Sequence, residues 1–437
     1  MLDNEELRAQ FRESEMNEFQ IKRDVNVGSA HSMGLPPVDF KAMHEIVLPH
    51  RLRRGVSDKI AWDVANASPI AIQTPEGLAY SYVCQGNGVR IVPGVVADAE
   101  LVIELSADSW QNYYYELRTR FGLLYEEAVR FVRGNFRQWD AWEPALRCLY
   151  SGTPIYDPRS LDLRDLDGSP LDIRKSFSRD DDPRAMSHFL RTAGYLHVRS
   201  AFSADEIARL SDETDRLRDN SVEGDVFSRW SADEHGSKKV WDLHYMALQS
   251  ALIEELDRHP MVTFLNGLAE EDLIPSYDRD NGTHAIIREF TGGENSDSTY
   301  MLGWHQDCGL GGCPITCPRI QIGIQLDAAM PESSQLYFLA GSAGRTCHDQ
   351  FSEEEWGQLP VVTFETQPGD VTVHFGCILH AAPKANGPLR RRTIYTRFMN
   401  PMSRTLLDRF MTFDQVIPHM DRMPSVDEMA GKVEAQG

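Results

Sequence analysis

The sequence has no apolar run long enough to cross a membrane. A membrane helix needs about 18 consecutive apolar residues, and every stretch of that length in these 437 residues carries charged or polar side chains. The opening stretch, MLDNEELRAQFRESEMNEFQ, is charged where a secretory signal peptide would be apolar. We therefore expect a soluble protein of the cytoplasm, with no membrane insertion.

Cysteine is also scarce. Seven cysteines are too few, and an odd number, for a disulfide framework in a chain of this length. Cys308, Cys313 and Cys317 lie close together in the sequence, so a zinc or iron–sulfur site is an alternative to free thiols. A structural zinc site, however, takes four ligands that usually come in closely spaced pairs, and this cluster offers three.

Positive charge is the third shortage. The 44 Lys and Arg residues stand against 66 Asp and Glu residues, which gives a net charge of −22. Most of the surface should therefore repel nucleic acids and anionic lipids, and we expect no nucleic-acid partner. The chain does have 41% hydrophobic residues, which is enough to fill the cores of two or three domains.

Changes in composition divide the chain into four parts. Residues 1–45 are polar and interrupted by glycine and proline, which is typical of an N-terminal arm. Residues 46–158 contain short strand patterns and then an aromatic-rich helical pattern over 110–131, which predicts a small α+β domain. Residues 159–186 are charged and lack an apolar period, so they are predicted to be a linker, and residues 187–437 form a second domain.

The first domain resembles the sterol-carrier-protein-2-like fold. The resemblance rests on a strand hairpin followed by ADAELVIELSADSW, a helix, a VRGNF turn and the closing ALRCLYSGTPIYDP. Members of that group hold lipids in an apolar tunnel or serve as accessory domains, so the resemblance implies one of these roles. Aromatic residues at helical spacing are also what a packed core requires, and that interpretation stays open.

The second domain begins with helices and continues with strands. HFLRTAGYLHVRSAFSADEIARL predicts a helix, a strand and a second helix, which begins at a capping box of Ser203 and Glu206. Most of the segments that follow alternate apolar and polar residues: THAIIREF, STYMLGWHQD, RIQIGIQLD, SQLYFLAG, VVTFET, DVTVHFG and RRTIYTRFM. Strands in this number after a helical lead-in predict a jelly roll, or double-stranded β-helix, with buttressing helices.

Three side chains of this domain form a candidate metal site. His305 and Asp307 are alternate residues of an extended segment, so both can point to one side. His380 closes the segment PGDVTVHFGCILH and can approach from a distant strand. Two imidazoles and one carboxylate, with the opposite face open, are the ligands of non-haem iron(II). A second H-x-D pair, His419 and Asp421, has no histidine after it and lies in a polar tail, so we interpret it as surface.

An arginine follows the last of these ligands. Arg391, within LRRRTIYTRF, can hold a carboxylate through two parallel hydrogen bonds. Strand alternation puts Arg390 and Arg392 on the opposite face, and Arg392 would replace Arg391 if the register were shifted by one residue. His374 shares a face with His380 and is an alternative ligand, but its spacing from Arg391 argues against that.

Residues 188 to about 400 resemble the phytanoyl-CoA dioxygenase family of iron(II)/2-oxoglutarate oxygenases. Besides the metal motif, the likeness rests on FLRTAGYLHVRSAFSADEIARL, LDAAMPESSQLYFLAGSAG and PGDVTVHFGCILHAAPKANGPLRRRTIYTRF. It implies that His305, Asp307 and His380 bind Fe(II), and that Arg391 pairs with the far carboxylate of 2-oxoglutarate. It also implies that O2 oxidises an unactivated C–H bond, most simply to a hydroxyl, with release of succinate and CO2.

Some residues depart from the family's pattern. Its Pro-Gly-Ser-His is Ala340-Gly341-Ser342-Ala343 here, and its serine two positions after the distal histidine is Ala382, so cosubstrate contacts differ in detail. Halogenating relatives lack a carboxylate at the position of Asp307. The presence of Asp307 therefore favours hydroxylation, desaturation or ring chemistry over halogenation.

Four further residues are candidate substrate contacts. They lie on strands predicted to face the barrel: Trp304, Tyr300, Arg288 and Gln321. Trp304 equally suits packing at a strand end. We expect a small substrate that is hydrophobic or a specialised metabolite, and a homodimer is one option for assembly. Two other functions fit the pattern: a lipid carrier with a degenerate jelly roll, and a cupin-like isomerase or hydrolase that holds zinc or manganese at the same ligands.

Overall fold

The structure, a computed structural model, describes nine stretches of the chain: 29–31, 34–125, 127–232, 236–288, 302–307, 317–348, 358–382, 389–407 and 409–410. These residues form an N-terminal α+β domain and a C-terminal barrel of two sheets. The predicted α+β class and the double-stranded β-helix are both confirmed. Among the helices in these stretches, none is both long and apolar enough to cross a bilayer.

A helical segment opens the N-terminal domain. Its turns follow one another as Phe40–Ala42, Met43–Val47, Leu48–Arg51, Leu52–Val56 and Ser57–Ile60. The Asp39 side chain accepts a hydrogen bond from the Ala42 N–H and caps the start of the segment. Phe40 and Met43 are buried in the domain core. The folded domain therefore begins before residue 45, where the arm was predicted to end.

A five-stranded sheet lies at the centre of this domain. Its strands are β1 Ile70–Gln73, β2 Ala79–Gln85, β3 Gly88–Pro93, β4 Leu101–Leu105 and β5 Val129–Arg133. Their order is β3-β2-β1-β4-β5, with β1 and β4 parallel and the other neighbours antiparallel. The helices of the domain are α1 Ala107–Tyr114, α2 Arg120–Tyr125 and α3 Phe136–Ser151.

The helical pattern predicted over 110–131 is not one helix. Glu116 and Glu127 have φ of 55° and 54°, and this left-handed conformation interrupts a right-handed helix. Beyond the second break, β5 pairs with β4, with Phe131 opposite Ile103. The prediction was wrong because short apolar runs fit the helical and the strand period alike.

Aromatic side chains fill the core of this domain. The largest are at most 1% exposed: Tyr80, Tyr82, Trp110, Phe136, Trp139 and Trp142. Neighbouring rings are in contact, with the Phe40 and Trp110 centroids 4.9 Å apart. The stripe of aromatics is therefore packing, as one of the two interpretations held, whereas the likeness to sterol-carrier proteins stays a prediction.

A histidine is buried in this aromatic core. His44 is 1% exposed, and its Nε2 and Nδ1 lie 2.6 Å from the Tyr82 hydroxyl and 2.7 Å from the Phe40 carbonyl oxygen. Burial lowers the pKa of His44 to about 4. Because the unfolded chain binds a proton near pH 6.5, the neutral ring stabilises the fold above that pH, and this stability is lost as the pH falls towards 4.

We expect a His44→Gln variant to show a flatter pH profile of stability than the wild type. Between pH 6.5 and pH 4 the wild type should lose about 3 kcal/mol more of its free energy of unfolding than the variant does. Urea unfolding followed by circular dichroism at several pH values measures this difference. Parallel profiles for the two proteins would contradict it.

The C-terminal barrel has two sheets. The strands of the larger sheet are β6 Phe177–Ser178, β7 Tyr195–Arg199, β8 Ser228–Ala232, β9 Lys238–Leu243, β10 Ile274–Pro275, β11 His284–Arg288, β13 Arg319–Gln325, β16 Val371–Phe375 and β18 Arg391–Met399. Their order is β6-β7-β16-β13-β18-β11-β9-β8, with β10 also paired to β18. The smaller sheet has the order β12-β17-β14-β15, formed by β12 Leu302–His305, β14 Tyr337–Leu339, β15 Val361–Thr363 and β17 His380–Ala382.

Helices buttress the larger sheet. They are α4 Pro183–Ala193, α5 Ala204–Asp219, α6 Ala251–Leu256 and α7 Pro260–Gly267, and α8 Pro401–Leu406 follows the last strand. The predicted capping box begins α5, because Ser203 and Glu206 each accept a hydrogen bond from the other's N–H. Strand β13 is buried on both faces. Its isoleucines join the apolar core, so the alternate residues, Gln321 to Gln325, face the interior between the sheets, called here the lumen.

The predicted linker is packed against the barrel. Leu171 and Phe177 are buried in its apolar core, and α4 already begins at Pro183. The segment before the linker also contacts the barrel, because Ile155 pairs with Thr346 in an isolated bridge. The 159–186 segment is therefore a structured connection.

Candidate metal centre

The smaller sheet brings His305 and His380 together. His305 is the last residue of β12 and His380 the first of β17, and the two are direct partners in the antiparallel register. Asp307 follows two residues after His305, and its N–H donates to the Gly376 carbonyl oxygen at 2.7 Å. This hydrogen bond fixes the carboxylate beside the turn that leads to His380.

The side chains of His305, Asp307 and His380 converge as predicted. One coordinating atom from each lies within 4.8 Å of the others. His305 Nε2 is 3.5 Å from Asp307 Oδ1, and His380 Nε2 is 3.7 Å from Asp307 Oδ2. Metal–ligand bonds of about 2.0–2.2 Å place adjacent ligand atoms about 3 Å apart, so small movements would let one ion contact all three.

Both kinds of ligand are in the protonation state that a metal requires. Burial lowers the pKa of His380 to about 3, so its ring is neutral at ordinary pH. Burial would raise the pKa of Asp307, but His380, His305, His374 and Arg397 together hold it well below its usual range. A neutral imidazole and an ionised carboxylate are the forms that bind metal ions.

A third imidazole lies beside this set. His374, on β16, is 1% exposed, and its Nε2 is 3.7 Å from Asp307 Oδ2. Its ring centroid is 4.8 Å from that of His380. Neither of its ring nitrogens has a hydrogen-bond partner among the described residues, so the ring can serve a bound ligand.

A chain of polar side chains holds Asp307 from behind. Gln321 Nε2 donates to Asp307 Oδ2, and Gln321 Oε1 accepts from Arg397 Nε at 3.0 Å. Arg397 in turn donates to the Asp280 carbonyl oxygen at 3.0 Å, and Arg319 pairs with the Asp280 carboxylate. Gln321, predicted as a substrate contact, is bonded in the structure to the carboxylate of a candidate metal ligand. Arg397 was missed, although it shares the alternation of Arg391 along β18.

Removing the Gln321 amide should weaken metal binding. A Gln321→Leu variant is expected to raise the dissociation constant for a divalent metal by roughly 10- to 100-fold, which is typical of residues that orient ligands. Titration with Co(II), followed by its visible absorption, measures this. Gln325→Leu is the matched control, since Gln325 faces the same side of β13 and bonds instead to Thr393. Equal affinities for the two variants would refute the orienting role.

Arg391 is buried in the lumen and has no carboxylate partner among the residues that the structure describes. Its side chain donates to the Ser334 carbonyl oxygen and, at 3.1 Å, to the Tyr395 hydroxyl. The residue is 2% exposed and its Nε has no hydrogen-bond partner in the described parts of the chain, and none of the ion pairs found there involves it. The Tyr395 ring crosses Gly323, where a Cβ would come within 2.7 Å of Tyr395 Cε1.

The structure does not bring Arg392 to the site. Arg392 points to the opposite face of β18, where its Nε and Nη2 bond to Asp327 at 2.8 and 2.9 Å and its Nη1 lies 2.9 Å from Asp215. Arg288, in contrast, is buried directly opposite Arg391 in the register of β11 and β18.

Trp304 and Tyr300 are the remaining predicted substrate residues. Trp304 precedes His305 on β12 and packs on a small apolar cluster with Tyr156 and Leu339. Tyr300, Cys308 and Cys313, and the second H-x-D pair, lie outside the described residues.

Two imidazoles and one carboxylate at the mouth of a double-stranded β-helix define a class of proteins with a non-haem metal centre. Residues 190–393 match the model of the phytanoyl-CoA dioxygenase (PhyH) family. This segment is just under half of the chain and holds most of the barrel, so the likeness to that dioxygenase family lies in the C-terminal domain. The match does not reach the N-terminal domain, and no curated protein matches the chain.

Solved structures resemble the barrel at low identity. AviO1 from Streptomyces viridochromogenes is 20% identical, with a TM-score of 0.41 over 50% of this chain and 96% of its own. The epimerase SnoN, solved with Fe3+, alpha ketoglutarate and nogalamycin RO, is 18% identical, with a TM-score of 0.40 over 50% and 83%. EctD from S. alaskensis, solved with 2-oxoglutarate and 5-hydroxyectoine, is 17% identical, with a TM-score of 0.40 over 56% and 86%. Likeness at this level says nothing of this chain's substrate.

Proposed function

We propose that the protein is an Fe(II)- and 2-oxoglutarate-dependent dioxygenase that hydroxylates an unactivated C–H bond of a small molecule and releases succinate and CO2. The observation that carries the proposal is the pairing of two features in one lumen. His305, Asp307 and His380 converge within 4.8 Å, and Arg391 is a buried cation with no carboxylate partner among the described residues.

The three ligands fit iron(II). Two neutral imidazoles and one carboxylate on one side of an ion leave its other positions open for a cosubstrate and O2. When bound, iron with 2-oxoglutarate and O2 supplies the oxidation of a C–H bond. The part of this chain is to hold the ion, and the hydrogen bond from Gln321 keeps the carboxylate of Asp307 turned towards it.

Arg391 fits the far carboxylate of 2-oxoglutarate. A buried guanidinium without a counter-ion is costly, and a carboxylate held by two hydrogen bonds would satisfy it. Tyr395 lies between Arg391 and His374, the imidazole beside the three ligands, because its hydroxyl accepts from Arg391 and its ring centroid is 6.5 Å from that of His374. In this proposal Arg391 would hold the far carboxylate, and His374 and Tyr395 would line the cosubstrate site.

The barrel itself contributes by excluding water. His374, His380 and Arg391 are at most 5% exposed, so charge interactions in this part of the lumen are screened weakly. Exclusion of water from the lumen also prevents side reactions of the oxidant with solvent.

Succinate formation tests the proposal. With Fe(II), O2 and 2-oxoglutarate, the purified full chain should form succinate, and a chelator should abolish this. Replacing Fe(II) with Zn(II) should leave no turnover. Equal succinate formation with and without iron would refute the proposed function.

The two alternative functions have less support. A zinc- or manganese-dependent hydrolase or isomerase could use the same three ligands, but it gives Arg391 no role. A lipid carrier needs an apolar cavity, whereas the core of the N-terminal domain is filled by aromatic rings. Metal-dependent conversion of a substrate without any succinate would favour the first of these alternatives over the oxygenase.

A further inference from the structure

A second polar cluster faces the same lumen as the metal ligands. Strand register puts Asp242 opposite Ile286 of β11, and Ile286 opposite Thr393 of β18. Paired residues of neighbouring strands point to the same face. Asp242 therefore shares the lumen with Thr393 and with the alternate residues of β18, Tyr395 and Arg397.

The cluster consists of Asp242, His244 and His284, called here the Asp242 cluster. All three residues are at most 5% exposed. His244 Nε2 lies 2.7 Å from Asp242 Oδ2, so the imidazole donates to the carboxylate. His284 stacks on Tyr395, with centroids 5.2 Å apart and the rings inclined at 20°.

Two polar atoms of the cluster are buried without a partner. Asp242 Oδ1 and His284 Nδ1 are enclosed, and neither has a hydrogen-bond partner in the described parts of the chain. Buried polar atoms in folded proteins are nearly always hydrogen-bonded, to protein, water or a ligand. A polar ligand that enters the lumen would satisfy both atoms.

The cluster lies between the metal ligands and the surface. On its inner side, Tyr395 contacts both His284 and the ring of His374. On its outer side, Asp242 pairs in register with Arg229, whose side chain is exposed. In the order of the strands, Asp242 and His284 therefore lie between the exposed Arg229 and Tyr395.

The charges around the cluster favour a neutral ligand. Asp242 would repel an anion, and two buried arginines face the same lumen, Arg288 and Arg391. A cationic ligand would be repelled by these guanidinium groups. An aliphatic chain would leave Asp242 Oδ1 and His284 Nδ1 unsatisfied, which is more costly than leaving them in water.

We propose that the substrate is a neutral, hydroxyl-bearing small molecule, whose hydroxyl groups donate to Asp242 Oδ1 and bond to His284 Nδ1. This inference rests on the proposed oxygenase function and narrows its substrate class. From the sequence we expected a small substrate that is hydrophobic or a specialised metabolite. The buried polar atoms of the Asp242 cluster favour a polar one.

The test compares two sets of compounds as activators of cosubstrate turnover. The full chain with Fe(II), O2 and isotopically labelled 2-oxoglutarate is mixed with the aqueous-methanol fraction of a cell extract, or with its chloroform fraction. Labelled succinate is measured by mass spectrometry. The aqueous fraction should stimulate its formation at least about tenfold more than the chloroform fraction does.

Two variants then locate the effect. Asp242→Asn and His284→Gln should each reduce the stimulation by roughly 10- to 100-fold, because each takes away a group that the hydroxyls need. Asp327→Asn is the matched control, since Asp327 lies on the outer face of the sheet with Arg392, and it should respond like the wild type. The visible charge-transfer band of the anaerobic Fe(II)–2-oxoglutarate complex shows whether each variant is folded and loaded.

The outcomes separate this inference from the proposed function. Stronger stimulation by the chloroform fraction, or full stimulation of both lumen variants, would overturn the polar-substrate inference while the charge-transfer band persists. Absence of that band in the wild type would instead overturn the proposed function.

Discussion

A His305→Ala variant is expected to lose 2-oxoglutarate turnover by a factor of about 10³ or more. The substitution removes one of the three proposed ligands. Asp307 and His380 alone are too few to hold the metal ion in the active geometry. The affinity for Fe(II) should fall as well, because the variant lacks the metal–nitrogen bond that His305 would form. Succinate formation at saturating 2-oxoglutarate and anaerobic titration with Fe(II) measure the two effects separately.

The chain supplies a matched control for this variant. His419 begins the second H-x-D pair, and His419→Ala should leave both turnover and metal affinity unchanged. Iron-dependent turnover that persists in His305→Ala, or is lost in His419→Ala, would show that the metal lies elsewhere.

An Arg391→Gln variant is expected to raise KM for 2-oxoglutarate by about 100-fold, which corresponds to the loss of about 3 kcal/mol from charge-assisted hydrogen bonds. Metal affinity should stay within about twofold, since Arg391 does not contact His305, Asp307 or His380 in the hydrogen bonds described above. Steady-state kinetics give KM, and titration of 2-oxoglutarate into the anaerobic iron protein gives the dissociation constant.

The neighbouring arginine provides the comparison. Arg390 precedes β18 and lies 3.4 Å from Asp327, the partner of Arg392, so Arg390→Gln should keep the wild-type KM. A normal KM in Arg391→Gln would mean that another cation, such as Arg288, holds the cosubstrate.

The sequence was most informative where a periodic pattern and a chemical requirement coincide. The strands of the barrel were predicted because alternation of apolar and polar residues has one structural meaning when turns bound it. The same alternation predicted that His305 and Asp307 share a face, whereas His380 was chosen because it ends a later strand segment and an arginine follows it. Arg391 was chosen from its position after His380 and from the family resemblance, and alternation only placed Arg390 and Arg392 on the opposite face.

Other features depended on contacts that no pattern reveals. Asp242 and His284 come from strands whose pairing with β18 is set by the whole sheet. Gln321 lies on the predicted face, but its bond to Asp307 depends on where β13 meets the end of β12. The strand Val129–Arg133 was missed because its apolar residues also fit a helix, and only pairing with β4 decides between the two.

The packing of Trp304 limits where the chain could be divided to separate its two domains. Trp304 is next to His305 in the chain and packs against Tyr156, which belongs to the segment that leaves the N-terminal domain. A chimera joined at residue 187, with the first part replaced, would lack Tyr156 and uncover one side of Trp304. The strand that carries a metal ligand would then lose its outer support, so the barrel cannot be transplanted by cutting at its own first helix.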